Sequence, residues 1–148
     1  MNTAEVKMLE TEDIIKMLPH KHPYVLVDRI VEREIGKRVV AHKAVSYCED
    51  LFRGHFPDKP ILPGAVIIEA ASQAAGFLAD LQEGMLGFVA EVKNFRFKKH
   101  VKPGSLLEIE AVSSMARGHF LLATIKAKVG DAVVAEGELQ LYLEQKKS

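Results

Sequence analysis

Apolar and polar positions alternate along this chain with two different periods. Positions 65–82 are apolar on nearly every side of a helical turn, which is typical of a helix enclosed by other elements. A short helix is predicted at 11–17, capped by Thr11 and stopped by Pro19. Six segments are β-branched or alternating and are predicted to be strands: 24–31, 38–45, 88–97, 106–112, 119–129 and 132–143.

Short glycine turns connect the predicted strands. Gly36 and Lys37 separate the first two strands, and Gly130 with Asp131 is a strong hairpin signal between the last two. Strands joined by such short turns pair in the antiparallel sense. One long apolar helix between hairpins therefore predicts an α+β fold, with the sheet curled around the helix and the whole of 1–148 forming a single domain.

A rigid loop leads into the apolar helix. Residues 54–64 contain three prolines and one histidine, His55, and each proline fixes φ and removes a backbone donor. Gly64 opens the helix, where free N–H groups and the positive end of the helix dipole point outward. The sequence thus predicts a stiff support that holds a histidine beside a helix N-terminus.

A narrow polar stripe interrupts the apolar helix. Glu69, Ser72, Gln73 and Asp80, with Gly76 between them, recur at helical spacing and are predicted to share one face. A carboxylate in such surroundings is costly unless it has partners or a chemical role.

These residues offer the parts of an acid–base site. His55 is a natural general base at neutral pH, Glu69 can act as an acid where its neutral form is favoured, and Gln73 can orient the carboxyl. The Gly64 N–H can hold negative charge on a carbonyl oxygen. Taken singly, however, a loop histidine is more often a scaffold residue and a helical glutamate often pairs with a lysine. Only their combination favours the chemical interpretation.

Composition excludes several classes of function. The 148 residues include 48% apolar types, and 20 basic residues balance 20 acidic ones, which argues against nucleic-acid and membrane-surface binding. The N-terminus has no apolar signal core, so a cytoplasmic protein is predicted. Cys48 is predicted to be an ordinary small side chain. His20 and His22 alone do not complete a metal site, and neither metal nor cofactor is predicted.

The combination of motifs resembles the FabZ-type 3-hydroxyacyl-[acyl-carrier-protein] dehydratases. The family signature is similar to Gly54-His55-Phe56-Pro57, Pro60, Pro63-Gly64, Glu69 and Gln73 in this chain, without a gap. Further similar segments are Leu18-Pro19-His20, Val27-Asp28-Arg29, and Phe95-Arg96-Phe97-Lys98 ahead of Pro103-Gly104.

This resemblance implies a hot-dog fold and a specific reaction. A long central helix would be wrapped by a curved antiparallel sheet, and (3R)-hydroxyacyl-acyl carrier protein would be dehydrated to the trans-2-enoyl product in fatty acid biosynthesis. His55 would act as base, Glu69 as acid, and the Gly64 N–H would polarise the thioester carbonyl. The family also implies a homodimer, commonly a hexamer built as a trimer of dimers, with His55 and Glu69 contributed by different subunits.

The resemblance also implies a binding site for the acyl chain. An acyl tunnel at the dimer interface would be lined by Phe56, Ile67, Ala71 and Phe88. Members often carry an aromatic residue where His22 stands and a tyrosine near Phe88, so the preferred chain length and the gating of the tunnel stay open.

A basic cluster after the third predicted strand suggests a docking surface. It would receive acyl carrier protein with its phosphopantetheine-linked substrate, although a solvated strand end would show the same pattern. The cluster, which also includes His100, is predicted to dock through Arg96, Lys98, Lys99 and Lys102.

Three other functions share this kind of chain. The bifunctional dehydratase/isomerase of the same fold is the nearest, although that group typically has Asp at the position of Glu69. A hot-dog thioesterase would hydrolyse the thioester instead. A non-catalytic acyl-thioester binding protein would lack the acid and base and usually carries a DNA-binding segment, for which the predicted N-terminal part is too short.

Overall fold

The computed structural model describes residues 7–145. A short 3-10 helix (Asp50–Arg53) lies between the second strand and the second helix. In chain order the other elements are α1 (Thr11–Met17), β1 (Arg29–Glu34), β2 (Arg38–Ala44), α2 (Gly64–Gly76), β3 (Met85–Phe97), β4 (Leu106–Arg117), β5 (Phe120–Val129) and β6 (Ala132–Gln145).

The strands form one antiparallel sheet in the order β1-β2-β4-β5-β6-β3. Helix α2 contacts β2, β3, β4, β5 and β6, so the sheet surrounds it on several sides. The core lies between them, where α2 contributes small side chains and the strands contribute branched ones. The predicted α+β arrangement is confirmed, and the glycine turns fall where expected, with Gly36 at φ +80° and Gly130 at φ +59°.

The first strand begins later than the sequence predicts. The prediction placed it at 24–31, whereas β1 spans Arg29–Glu34. Between 24 and 26 the backbone bonds a helix side chain rather than a strand: Leu26 N–H donates to Oε1 of Gln73 at 2.9 Å, and Tyr24 O accepts from its Nε2 at 2.8 Å. A long-range amide thus replaced the sheet partner that the local pattern suggested.

Helix α2 is shorter than predicted. It ends at Gly76 rather than near residue 82, so Asp80 lies outside it and does not extend the stripe that begins at Glu69. Glycine is a weak helix former, which makes this position a natural end.

Strand residues bind the chain just beyond the helix end. Arg33, which is 9% exposed, donates from Nε to Phe77 O at 2.8 Å and from Nη2 to Ala79 O at 2.9 Å. Gly36 N–H donates to Leu78 O at 2.7 Å. Carbonyls that a longer helix would pair internally are therefore used by the β1–β2 hairpin.

The cap of α1 also differs from the prediction. Glu10 is the N-cap, and its N–H donates to Oδ2 of Asp13 at 2.9 Å. The Thr11 hydroxyl, predicted to be the cap, instead donates to Asp28 O at 2.6 Å.

Candidate active site

The loop before α2 fixes both the position and the tautomer of His55. Its N–H donates to Leu51 O at 3.2 Å, and its carbonyl accepts from Ile61 N–H at 3.1 Å. The ring Nδ1 lies 2.8 Å from Ile61 O. A carbonyl oxygen can only accept, so Nδ1 carries the hydrogen and the Nε2 lone pair is left to take a proton.

The first turn of α2 presents backbone donors. Pro63 is the N-cap, and its carbonyl accepts from Val66 at 3.0 Å and Ile67 at 3.2 Å. Within residues 7–145, no acceptor is found for the N–H groups of Gly64 and Ala65. Helix starts of this kind bind anionic or carbonyl oxygens, because the free N–H groups and the helix dipole act in the same direction.

Phe97 covers this helix start, a contact that local sequence patterns did not reveal. A Cβ at position 64 would lie 2.9 Å from Cζ of Phe97, closer than such atoms approach, so a larger residue there would require the Phe97 ring to shift. The ring is 48% exposed. It reaches the helix at the end of β3, after the irregularity at Asn94, whose φ is +53°.

The carboxyl of Glu69 is held by neighbours on its own helix. Gln73 Nε2 donates to Oε1 at 3.0 Å, one turn along. The Ser72 hydroxyl lies 3.4 Å from Oε2 and donates at 2.8 Å to the Glu69 backbone carbonyl. The predicted contact between Gln73 and Glu69 is therefore present, and it leaves Oε2 as the less occupied oxygen.

The side-chain amide of Gln73 is held in one orientation. It is 2% exposed, and its amide bonds Leu26 N–H, Tyr24 O and the Glu69 carboxyl, which uses both of its N–H donors. The backbone partners fix which end of the amide is oxygen and which is nitrogen, because a donor and an acceptor cannot exchange. The N–H aimed at Glu69 is thus set by the fold.

An apolar cavity of about 400 Å³ opens beside Glu69. Four members of the predicted stripe face it, namely Glu69, Ser72, Gln73 and Gly76. Its apolar wall comes from the end of α1, the chain after α2, and strands β3 and β6, including Leu18, Leu81, Met85, Phe88, Val89, Leu141 and Leu143.

The residues predicted for the acyl tunnel are dispersed. Phe88 lines the cavity. Phe56 is 50% exposed and stacks on His55, with ring centroids 4.1 Å apart. Ile67 and Ala71 are buried in the core and do not line the cavity. Their assignment to a tunnel stays a prediction.

His55 is absent from the lining of this cavity in the described part of the chain. The predicted base therefore stands on the loop before α2, whereas the predicted acid faces a cavity farther along the helix.

His20 is a polar neighbour of Glu69 that the sequence signalled only through its place in the Leu18-Pro19-His20 motif. Its Nε2 lies 3.7 Å from Oε1 of Glu69, and it lines the same cavity. His22, two residues on, faces a different hollow.

The predicted docking residues are exposed beside the helix start. Leu62 N–H donates to Val101 O at 2.8 Å, which ties the segment after β3 to the loop before α2. Lys98 Nζ lies 2.6 Å from Oε1 of Glu136, and this ammonium holds the pKa of the Glu136 carboxyl below its ordinary range. Lys98 is thus partly neutralised; the other exposed members of the cluster are Arg96, Lys99 and Lys102.

Residues 7–145 contain neither a membrane-spanning helix nor a metal-binding cluster. No helix there is long and apolar enough to cross a membrane. Nor do these residues bring together three or more His, Cys, Asp or Glu side chains able to hold a metal ion.

Known proteins resemble this chain over nearly its whole length. The model of the FabA-like domain matches residues 18–138. A protein of Bacillus velezensis named 3-hydroxyacyl-[acyl-carrier-protein] dehydratase FabZ is 44% identical over 139 residues, covering 92% of this chain and 99% of its own. The protein of that name from Ruminiclostridium cellulolyticum is 43% identical over 139 residues, covering 92% and 98%.

Solved structures agree on the architecture. A chain of the dehydratase heterocomplex ApeI:P from Xenorhabdus doucetiae superposes with a TM-score of 0.76 at 21% identity, covering 90% of this chain and 91% of that one. An uncharacterized protein from Pyrococcus horikoshii gives 0.70 at 18% identity, covering 95% and 96%. These likenesses concern the fold, and the predicted hot-dog fold is confirmed.

Proposed function

The chain belongs to the FabA-like domain family and, within it, to the FabZ-type dehydratases, and from this premise we propose that His55 and Glu69 are its base and acid. It is a 3-hydroxyacyl-[acyl-carrier-protein] dehydratase of fatty acid synthesis. The observation that carries the proposed roles is the Glu69 carboxyl, held by a buried amide at the mouth of an apolar cavity.

We propose that His55 removes the proton from C2 of the substrate. Its Nδ1–H is engaged by Ile61 O at 2.8 Å, so the accepting Nε2 faces away from that bond. Because the ring is neutral in this tautomer, it can accept a proton without first losing one.

Glu69 then protonates the departing 3-hydroxyl group, which leaves as water. Gln73 donates to Oε1, and an oxygen that already accepts an N–H is a poor place for the acid hydrogen. Oε2 therefore carries the transferred proton.

The Gly64 N–H would bind the thioester carbonyl oxygen, on which negative charge develops as C2 loses its proton. The free donor and the dipole of α2 act on the same oxygen. The product is the trans-2-enoyl thioester, and the acyl chain is proposed to occupy the cavity lined by Phe88.

A second copy of this chain is proposed to complete the site. His55 does not line the cavity that Glu69 faces within the described residues, so the substrate must meet them from two sides. Strand β3 lies at the sheet edge and exposes Phe88, Val89 and Val92. A long, apolar edge of this kind is a template for pairing with another strand, so we propose a homodimer joined through β3. Assembly into a hexamer stays a prediction, as does a cytoplasmic location.

Acyl carrier protein is proposed to dock at Arg96, Lys98, Lys99 and Lys102. The backbone bond between Leu62 and Val101 supports this, because it holds the basic segment beside the loop that carries His55. An acidic carrier bound there would present its thioester to the start of α2.

Reversible hydration of an enoyl thioester, followed by absorbance, tests the two roles. His55→Ala and Glu69→Gln are each expected to lower kcat by at least about 10³-fold. His42→Ala and Glu108→Gln are matched controls, because these residues form a half-buried pair at 3.1 Å on another part of the sheet. Wild-type rates in either site variant, with dimer and fold intact, would remove that residue from the mechanism.

Mixing the two inactive variants tests the shared site. If His55 and Glu69 act across subunits, random exchange gives mixed dimers with one intact site, and about a quarter of the wild-type rate returns. No recovery after verified subunit exchange would place both residues of a working site in one chain.

A further inference from the structure

His20 stands over the proposed acid without forming a hydrogen bond in this structure. The distance from its Nε2 to Oε1 of Glu69 is 3.7 Å, which is within ion-pair range but too long for a hydrogen bond. Both side chains are mostly buried, at 24% and 20% exposure. The imidazole thus approaches the carboxyl oxygen that already accepts from Gln73.

The other ring nitrogen has no competing partner. Nδ1 of His20 is buried and makes no hydrogen bond within the described residues. The ring stacks on Tyr24, with centroids 6.0 Å apart. A buried imidazole nitrogen without a partner is costly. A histidine at this position therefore calls for a role at Nε2.

The segment that carries His20 is tied to the same amide that holds Glu69. Tyr24 N–H closes a turn onto Lys21 O at 2.8 Å, and Tyr24 O accepts from Nε2 of Gln73 at 2.8 Å. Gln73 therefore holds both Glu69 and the turn that follows His20, so a small movement of this turn changes the distance between imidazole and carboxyl.

Competing charged groups are few at this place. The titratable side chains among the cavity lining in residues 7–145 are His20, Tyr24 and Glu69. Lys21, the neighbouring cation, is turned away, with its Nζ 3.1 Å from Ile15 O. β3 and β6 contribute glycine and apolar residues to the lining, so the imidazole and the Gln73 amide are the nitrogens near the carboxyl.

We infer that His20 is a positioning residue for Glu69, closing its Nε2–H onto Oε1 when substrate fills the cavity. Oε1 then accepts from both Gln73 and His20, and the transferable proton is confined to Oε2. Catalytic hydrogen bonds are often long in ligand-free structures and shorten in the complex. This inference rests on the proposed role of Glu69 as the acid.

Side-chain length provides the test. A glutamine at position 20 places its amide nitrogen near the position of Nε2, whereas an asparagine ends near Nδ1 and cannot reach Glu69. His20→Leu and His20→Asn are expected to lower kcat roughly tenfold to a hundredfold while KM stays within about twofold. His20→Gln is expected to recover kcat to within about threefold of wild type. Equal losses in the glutamine and asparagine variants would overturn the inference, as would a loss confined to KM.

A double-mutant cycle separates action through Glu69 from cavity lining. In the Glu69→Gln background, His20→Leu should cause no further loss of the residual rate, because no acid remains to be positioned. If the two losses multiply while Glu69→Gln alone is strongly impaired, His20 acts independently and only this inference fails. If Glu69→Gln keeps the wild-type rate, the proposed acid fails, and this inference with it.

Discussion

The two ends of helix α2 satisfy their backbone groups in opposite ways. At the C-terminal end, Arg33 and Gly36 donate to the carbonyls that follow the helix. At the N-terminal end, Gly64 keeps a free N–H within the described residues, and the ring of Phe97 packs where a Cβ of this residue would lie. The same helix thus has one end whose carbonyls are bonded by its own fold and one end whose free N–H groups support the proposed binding of the thioester carbonyl.

On the proposed mechanism, this difference separates residues that stabilise the fold from residues that take part in the reaction. Hydrogen bonds at the closed end lower the free energy of the folded chain and have no contact with the cavity. The unpaired donors at the open end stabilise nothing in the free protein, and their value appears only when an oxygen binds. Variants at the two ends should therefore change different measured quantities.

The largest effect is expected from removing the N–H at the open end. In a Phe97→Ala background, which relieves the contact with position 64, Gly64→Pro deletes the donor and Gly64→Ala keeps it. Proline suits the first position of a helix, so the fold should be retained. We expect kcat for enoyl thioester hydration to be at least about 10²-fold lower with proline than with alanine. Equal rates would mean that this N–H takes no part in the reaction.

At the closed end, Arg33→Met should affect stability and leave kcat unchanged. It removes two hydrogen bonds and strands the carbonyls of Phe77 and Ala79, at a cost of about 3 kcal/mol in the free energy of unfolding. Arg38→Met is the control, because Arg38 forms partly exposed pairs with Glu32 and Glu110 whose loss should cost less than about 1 kcal/mol. Denaturant unfolding measures the free energy of unfolding of both variants. Similar losses in the two would show that the hydrogen bonds of Arg33 contribute no more than the ion pairs of Arg38.

A moderate effect is expected from charge reversal beside the open end. Lys99→Glu should raise KM for a carrier-linked substrate severalfold, roughly 3- to 10-fold at low salt, and should leave a small thioester mimic unaffected. Lys37→Glu, at the hairpin turn near the closed end, is the matched control and should affect neither substrate. Equal changes with both substrates would argue against docking of the carrier at this surface.

The smallest effect concerns the pair of Lys98 and Glu136, which also lies near the open end. Lys98 lowers the pKa of the Glu136 carboxyl, so the pair contributes stability above the ordinary pKa of a glutamate, and this contribution is lost as the pH falls through the lower folded value. The difference in Tm between wild type and Lys98→Met should therefore be constant from pH 7 to about pH 5 and shrink in more acidic solution. A difference that grows on acidification would contradict this sign. Lys99→Met should show no such pH dependence.

Local patterns predicted those parts of the fold that depend on neighbours in sequence. The turns at Gly36 and Gly130 were predicted because positive φ favours glycine, and the strand periods identified the sheet. The predicted end of α2 and the predicted start of β1 were wrong, because each is determined by a distant side chain. Arg33 binds the chain after the helix, and Gln73 binds residues that read as a strand.

The candidate site divides in the same way. The contact between Glu69 and Gln73 follows from a spacing of one helical turn and was predictable. His20 approaches Glu69 because the turn after His20 bonds Gln73. Phe97 reaches Gly64 because strand β3 is irregular at Asn94. Neither contact produces a periodic pattern in the sequence, so sequence periodicity could not predict it.

The amide of Gln73 bonds both Leu26 and Glu69, so the position of Glu69 can be followed without any substrate. Because Leu26 N–H donates to this side chain rather than to a strand, it exchanges with deuterium only when the segment around it lifts from the helix. That opening would release the hold on Glu69 at the same time. The exchange rate of the Leu26 amide hydrogen thus reports the fraction of molecules in which the Glu69 carboxyl is displaced. An inhibitor that fills the cavity should slow this exchange.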